Sequence, residues 1–342
     1  MQSRRSELQE VSYQSGTHAG QSGIHAGLWL DKYLKEQIAG GGKNAKADHF
    51  QTATQEEAPD SYKTFFSRWQ QSLTQAGAIT RKAKAQGRLV VGLGGESVLE
   101  TSITLHRTYG VPYIPGSALK GLAAHYARNH LDPAQWGKDS EAYKIVFGAT
   151  DEAGYITFFD ALYIPGNAKQ DPPLALDVIT VHHPEYYRGE NSPPADWDDP
   201  TPIPFVSATG SYLVALHGAA DWVKAAFEIL SLALAEEGIG AKTSSGYGRM
   251  QLEGIVPKST STPQTSPTVT LPPPLPRKSA QGKVRYIRGH PAIVTEDGRR
   301  FFCNWKNMGM DALKGKTVVE FEYEEPPGAR PRVVKARKIW TL

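Results

Sequence analysis

The sequence lacks an apolar run long enough to span a membrane, and its first residues do not resemble a secretory leader. A membrane helix needs about 20 consecutive apolar residues, and the most apolar segment, 222–235, already contains Lys224 and Glu228. The first ten residues are polar and charged, without the apolar stretch of a signal peptide. We therefore expect no membrane association and a location in the cytoplasm.

Cysteine is almost absent, since Cys303 is the only one among 342 residues. A single thiol forms neither an internal disulfide nor a cysteine-based zinc site. Cys303 lies in an aromatic, strand-like segment, so we expect a small buried side chain there. The acidic run Asp196–Asp199 lies among prolines and is interpreted as an exposed loop. These residues thus predict no metal site and no cofactor, and the sequence offers no catalytic residue apart from the histidines weighed below.

Charge is unevenly distributed along the chain. The net charge is +3 overall, but residues 277–342 carry +8 and the rest carries −5. A basic terminal segment favours an anionic partner, with nucleic acid as the first candidate. A solvated basic surface would have the same composition, so charge alone leaves both interpretations open.

Proline marks the clearest boundary. Seven prolines occur between Pro257 and Pro276 among Ser, Thr and Gln, a composition typical of an extended linker. We therefore predict a body at 1–256, a linker at 257–279 and a terminal domain at 280–342.

Hydrophobic spacing predicts an α+β body. Helices are predicted at 28–38, 62–73, 118–129 (with Ser117 as N-cap) and 222–235 (ending at Gly238). Strands are predicted at 88–93, 102–106, 154–159 and 210–216. The terminal domain contains five strand-like segments within about 60 residues, separated by Gly and Pro turns. This pattern is typical of a small all-β barrel of the OB type.

Two segments carry candidate binding chemistry. In Gly238–Met250, four glycines surround Lys242, Tyr247 and Arg249. Glycine permits positive φ and close backbone approach, so this loop could hold an anion, although a turn-rich hairpin explains the glycines equally well. It is not a nucleotide-binding P-loop, because Ala241 replaces the glycine that the motif requires.

The second segment, Ile114–Gly121, contains a Pro-Gly-Ser turn that leads into a helix. Free amides at a helix start, together with Lys120 in the first turn, can bind phosphate. An ordinary capped helix with Lys120 in solvent is the alternative.

Together these segments resemble the RAMP superfamily of CRISPR-associated proteins. Further segments resemble the sixth-subunit family of the type III-B Cmr complex: Ala26–Tyr33, Val146–Gly148, Gly154–Ala161 and Asp177–Tyr187. The resemblance covers roughly residues 20–255. It implies a ferredoxin-like, RRM-related body in a non-catalytic RNA-binding subunit of an antiviral effector complex. Its partners would be CRISPR guide RNA, target RNA and other RAMP or Cmr subunits.

On matching positions, the resemblance implies RNA contacts in the body. The residues concerned are Arg107, Ser117, Lys120, Lys242, Tyr247 and Arg249. An alternative function is a metal-independent endoribonuclease that processes CRISPR repeat RNA with a histidine base. Its candidate bases are His25, His106, His182 and His183.

The terminal domain is similar to cold-shock-like OB domains at Gly282–Tyr286, Leu313–Tyr323 and Arg332–Arg337. It is an addition to the usual sixth-subunit plan, and a protein-docking barrel remains an alternative. The candidate base-stacking residues are Tyr286, Phe301, Phe302 and Trp305. Some of them must instead fill the barrel core, because strand alternation directs one of Phe301 and Phe302 inward and the other outward. The predicted phosphate-binding residues are Arg285, Arg288, Arg299, Arg300 and Lys306.

Overall fold

The structure, a computed structural model, combines helices and antiparallel sheets, which confirms the α+β class. It describes residues 24–34, 43–150, 152–166, 172–181, 189, 193, 195, 201–255, 267–287, 290–302, 317–327 and 331–341. The helices are α1 (Ala26–Lys32), α2 (Lys43–Thr54), α3 (Asp60–Gln75), α4 (Gly116–His130), α5 (Pro133–Trp136), α6 (Glu141–Phe147) and α7 (Ala220–Glu236). The strands are β1 (Ile79–Ala85), β2 (Tyr113–Ile114), β3 (Thr157–Phe158), β4 (Ala161–Tyr163), β5 (Leu174–Val181), β6 (Thr201–Ala208), β7 (Ser211–His217), β8 (Met250–Leu252), β9 (Arg277–Ile287), β10 (His290–Thr295), β11 (Arg300–Phe302), β12 (Thr317–Glu324) and β13 (Arg332–Thr341).

The chain divides into two compact units that do not follow the order of the sequence. The first unit comprises Met1–Tyr126, Phe158–Ala215 and Glu228–Ser261, and the second comprises Ala127–Thr157, Leu216–Phe227 and Thr262–Leu342. The C-terminal strands therefore share a unit with α5 and α6. None of the helices in the described ranges has the length and apolar character needed to cross a membrane.

The sheet of the first unit has the strand order β2-β4-β7-β1-β8, with β3 paired to β7. Helix α4 starts directly after the edge strand β2, and the glycine-rich loop ends at the opposite edge strand β8. Neighbouring strands lie about 4.8 Å apart, so these two edges are separated by about 20 Å. Strands β5 and β6 form a separate antiparallel hairpin.

Two predicted strands, 88–93 and 102–106, are wrong. Leu89, Val90 and Leu105 form isolated bridges to Ala208, Gly240 and Pro112, respectively. The apolar run is buried as expected, but its backbone groups bind loops and the end of β6 instead of a strand ladder. The strand next to β8 is the charged segment β1, which apolar periodicity did not indicate.

The other body elements differ mainly at their ends. The helices predicted at 62–73 and 222–235 and the strand at 210–216 are confirmed as α3, α7 and β7. The helix predicted at 28–38 ends at Lys32 in α1, and Ile38 lies outside the described residues. The strand predicted at 154–159 shortens to β3, followed by β4.

The C-terminal segment forms one five-stranded antiparallel sheet in the order β11-β10-β9-β12-β13. The five predicted strands are therefore confirmed, although β9 begins at Arg277, within the predicted linker. One face of this sheet packs a core of Val284, Ile293, Phe301, Val319, Phe321, Tyr323 and Val333. Phe301 is thus a core residue, and its ring packs edge-on against Phe321.

The described end of the proline-rich segment, 267–276, has no regular secondary structure but is anchored within the second unit. Val269 and Leu275 are buried. The indole Nε1 of Trp136 donates a hydrogen bond of 3.3 Å to the Val269 carbonyl.

Arg332 of β13 forms a second anchor in this unit. Its guanidinium lies 3.1 Å from Glu141 Oε1 and 3.2 Å from Glu152 Oε2, with only 22% of its side chain exposed. The pair with Glu152, whose side chain is 29% exposed, is the less screened of the two, so it should contribute more than an exposed pair.

We expect Arg332→Ala to destabilise the C-terminal sheet by about 1–3 kcal/mol, because two carboxylates lose their counter-ion. Hydrogen exchange of the β9–β13 amides measures this change. Arg337→Ala is the control, since its pair with Glu320 is 78% exposed on the arginine side, and it should change stability by at most about 0.5 kcal/mol. Equal effects of the two variants would contradict this anchoring role.

Candidate nucleic-acid interface

The glycine-rich loop begins where α7 ends, as predicted. Gly238 has φ +79°, and its N–H donates to the Ala233 carbonyl at 3.0 Å. A short 3-10 turn follows at Thr243–Ser245, and β8 starts at Met250. Lys242 is also left-handed, with φ 59°. This backbone is unusual for a residue with a side chain.

The loop packs its backbone against the segment 88–90. The Ala241 N–H donates to the Val90 carbonyl and the Gly248 N–H donates to the Arg88 carbonyl, both at 2.8 Å. A Cβ at Gly240 would lie 2.2 Å from the Val90 oxygen, and one at Gly248 would lie 2.0 Å from the Ile239 oxygen. Glycine at these two positions is therefore a steric requirement.

Many loop amides are already used by the protein itself. The N–H groups of Ile239, Ala241, Ser245, Gly246, Tyr247 and Gly248 all donate to backbone carbonyls. An anion at this loop would consequently depend on side chains, rather than on the amide cradle that the glycine pattern suggested.

Two of the predicted RNA-binding side chains of the loop have intramolecular partners. Arg249 Nη1 donates to the carbonyl of Ala235, near the end of α7, at 3.4 Å. Burial and a hydrogen bond to Asp177 raise the pKa of Tyr247 to about 12, and its ring lies 6.0 Å from that of Phe205. Both side chains are thus held in fixed positions.

Asp177 joins this loop to the β5–β6 hairpin. Its carboxylate accepts from Arg88 Nη1 at 3.1 Å and from Ser207 Oγ at 3.3 Å, in addition to Tyr247. Sequence reasoning missed Arg88 and Asp177 as parts of this site. The only signal was the position of Asp177 at the start of a family-like segment.

The start of α4 differs from the prediction. The helix begins at Gly116, so Ser117 lies in the first turn and is not the N-cap. The Gly116 N–H donates instead to Asp160 Oδ1 at 2.8 Å. The Ala118 and Leu119 N–H groups donate to the Pro115 carbonyl. A carboxylate thus already occupies the positive end of this helix, which an anion was predicted to bind.

Lys120 lies one turn into α4 and is half-buried. Burial lowers the pKa of its ammonium group below the usual value. No carboxylate within the described ranges forms an ion pair with it. A partly desolvated cation without a counter-ion is stabilised when an anion binds beside it.

The two motifs are linked through the end of α7. Tyr126 of α4 donates to Glu236 Oε2 at 2.7 Å, and His125 Nε2 lies 3.7 Å from Glu237 Oε1. No direct contact between Lys120 and Lys242 occurs among the described side chains. Lys242 is partly exposed in the loop.

Arg107 is exposed in a turn that also brings two histidines together. His25 Nδ1 accepts from the Leu28 N–H, and His25 Nε2 donates to the Arg107 carbonyl at 3.1 Å. Both ring nitrogens of His25 are thus engaged. Burial, and to a lesser extent the nearby His25, lower the pKa of His106, while Asp160 opposes this shift.

The remaining predicted residues are divided between the C-terminal strands and the undescribed segments. Arg285 on β9 and Arg300 on β11 are exposed. Several other predicted residues lie outside the described ranges: Arg288, Trp305, Lys306, Cys303, His182, His183 and Asp196–Asp199. Arg299 instead binds Tyr323 and Glu325. Among the described residues, no group of three His, Cys, Asp or Glu side chains is arranged to hold a metal ion.

Comparison with known proteins identifies the class. The sequence profile of the RAMP superfamily matches residues 82–251, a range that contains both motifs. Cmr6 of Pyrococcus furiosus, a subunit of the CRISPR system Cmr complex, is 36% identical, with 57% of this chain and 74% of that protein covered. The chain belongs to the RAMP superfamily, and within it the chain is a homologue of Cmr6.

The solved structures that match include the following two. The type III-B Cmr-beta complex bound to cognate target RNA contains a chain with a TM-score of 0.48 and 17% identity, covering 66% of this chain and 78% of that one. The crystal structure of Pyrococcus furiosus Cmr6 has a TM-score of 0.34 and 37% identity, covering 51% and 97%.

Two of the four left-handed glycines of the loop, Gly246 and Gly248, provide a matched test of its packing. Gly246 has φ +88° and open space around a Cβ, whereas Gly248 has φ +75° and no space. Gly246→Ala should lower the free energy of unfolding by about 1 kcal/mol, from backbone strain alone. Gly248→Ala should lower it by about 1–3 kcal/mol more, because the loop must move. Urea titration measures both, and equal values would show that the close packing is not required.

Proposed function

We propose that the chain is a non-catalytic, RNA-binding structural subunit of a type III-B CRISPR effector complex. In this role it binds guide RNA, contacts target RNA and packs against neighbouring Cmr subunits in antiviral defence. We place this activity in the cytoplasm. The similarity to Cmr6 supports the choice of complex. The observation that carries the RNA-binding part is Lys120, a half-buried ammonium group without a counter-ion inside the motif Ile114–Gly121.

The spacing of the candidate cations favours an extended polyanion over a single small anion. RNA binding depends largely on cations that neutralise phosphates. Lys120 and Lys242 belong to motifs at sheet edges about 20 Å apart, with Arg107 exposed in a separate turn. Single cations spread over such a distance suit an extended backbone that passes several phosphates better than a single small anion. Ser117 remains a proposed contact only through its exposed hydroxyl.

Tyr247 and Arg249 are proposed as positioning residues of this interface rather than direct phosphate ligands. Their contacts with Asp177 and with the Ala235 carbonyl support this assignment. Through the fixed loop they would hold Lys242 toward the RNA.

For the terminal sheet, the strand order supports a proposed OB-type barrel. If strands β9 to β13 are numbered 1 to 5, their order in the sheet is 3-2-1-4-5. The outer strands β11 and β13 also approach each other. This approach is what a nearly closed five-stranded barrel requires. The ferredoxin-like description of the body is likewise proposed, on the strength of the superfamily.

Lys120→Ala should weaken guide-RNA binding by a similar factor for every sequence, because a phosphate contact carries no base information. It should also flatten the slope of log K against log salt by about 0.7. Filter binding with the chain co-expressed with its neighbouring subunits measures both. Lys63→Ala is the control, since Lys63 pairs with Asp60.

An unchanged salt slope in Lys120→Ala would contradict the phosphate role of Lys120. Purification of the co-expressed chain alone and free of RNA would contradict the proposed function as a whole. The endoribonuclease alternative has its own test, which is cleavage of repeat RNA in the presence of a chelator. Cleavage that disappears in His106→Ala, whose lowered pKa keeps the imidazole neutral near pH 7, would favour that enzyme.

A further inference from the structure

The outer face of strands β9–β11 collects several cations around one aromatic ring. Strand pairing aligns Lys283 and Arg300 on either side of Val294, and Arg285 and Phe302 on either side of Ala292. Directly paired residues share a face of the sheet. The intervening row, Val284, Ile293 and Phe301, belongs to the core. Lys283, Arg285, Arg300 and Phe302 therefore lie on the opposite face, and we call these four residues the outer patch.

The outer patch is accessible and compact. Its three cations are exposed, and Phe302 exposes 50% of its surface. Successive rows on one face are about 7 Å apart and the outer two of three strands about 10 Å apart. Four side chains within such an area can contact one short segment of a ligand at the same time.

Ion pairing separates these cations from others of the same sheet. Five other cations of the C-terminal strands have carboxylate partners: Arg277, Lys278, Arg299, Arg332 and Arg337. No carboxylate within the described ranges pairs with Lys283, Arg285 or Arg300. Charge that is neutralised inside the protein contributes little to binding an external anion, whereas charge without a partner contributes fully.

We propose that the outer patch binds single-stranded RNA, with a base stacked on Phe302 and phosphates beside Lys283, Arg285 and Arg300. A half-exposed aromatic ring among cations suits an unpaired base on a charged backbone. A duplex keeps its bases stacked inside and offers no free face to the ring. The choice of RNA as the strand rests on the proposed function, but the patch and the Lys120 site make separable contributions.

Phe302 tests the stacking part. In the full-length chain, Phe302→Ala should weaken binding of a short, mixed-sequence single-stranded RNA by about 5- to 150-fold, measured by fluorescence anisotropy. Phe302→Trp should retain binding, since it keeps an aromatic face. Phe302→Leu, which preserves apolar volume and so protects the fold, should behave like Phe302→Ala. Binding of Phe302→Leu at the wild-type level would overturn the stacking role.

The cations are tested with charge-matched variants. Arg285→Ala combined with Arg300→Ala should flatten the salt slope by about 1.4, for two lost phosphate contacts. Lys278→Ala combined with Arg337→Ala removes the same net charge from paired positions and should leave the slope nearly unchanged. Equal slopes for the two double variants would overturn the assignment, as would binding of a duplex as tight as that of the single strand.

Photo-crosslinking separates failure of this proposal from failure of the proposed function. RNA containing 5-iodouridine should crosslink to a peptide that contains Phe302, identified by mass spectrometry. Crosslinks confined to residues 82–251 would overturn the outer patch and leave the proposed function intact. Crosslinks at Phe302 in a chain that does not assemble with Cmr subunits or guide RNA would keep the patch and overturn the proposed function.

Discussion

The first unit depends on the backbone contact between the glycine-rich loop and the segment 88–90. Two hydrogen bonds of 2.8 Å join these segments: the Ala241 N–H donates to the Val90 carbonyl, and the Gly248 N–H donates to the Arg88 carbonyl. The two segments approach so closely because Gly240 has no Cβ, while the missing Cβ of Gly248 lets the loop pack against its own residue Ile239. The contact holds β8 beside β1 and orients Arg88 toward Asp177 and Tyr247. The glycine-rich loop, which the sequence suggested as a ligand-binding loop, therefore has a structural role in joining two segments of the unit. Ligand binding at this loop would depend on its exposed side chains.

The sequence patterns correctly predicted the helices and strands that depend on interactions between neighbouring residues. Helices α3 and α7 and the five C-terminal strands follow from residue spacing and turn residues, and the structure confirms them. The strands predicted at 88–93 and 102–106 failed because an apolar run shows burial but not the partner of its backbone groups. For residues 88–90 that partner is a loop about 150 residues further along the chain, and for 102–106 it is the nearby segments 91–93 and 111–112. The strand β1 was missed because its segment is rich in Lys and Arg. Apolar periodicity therefore did not indicate a strand there, although its backbone pairs with β8.

The same distinction explains the candidate sites. Lys120 and Lys242 were found because they lie inside motifs that are contiguous in sequence. Asp160 and Asp177 were missed because each acts on a segment far along the chain, as the cap of α4 and as the acceptor for Tyr247. Ser117 was assigned as N-cap by the usual residue preference, but a carboxylate from the β3–β4 connection holds that position. Long-range caps of this kind leave no periodic signal.

The ion pairs show which cations of the basic C-terminal segment remain available to bind an external anion. The C-terminal segment carries a net charge of +8, which by itself suggests an anionic partner but no location for it. Once the pairs are known, Arg299 and Arg332 become part of the packing of the second unit, through Glu325 and through Glu141 with Glu152. Among the described cations without a carboxylate partner, Lys283, Arg285 and Arg300 lie together on one face of β9–β11. Because a charge that is paired inside the folded protein contributes little to binding an external anion, the unpaired cations are the part of the charge pattern that bears on RNA.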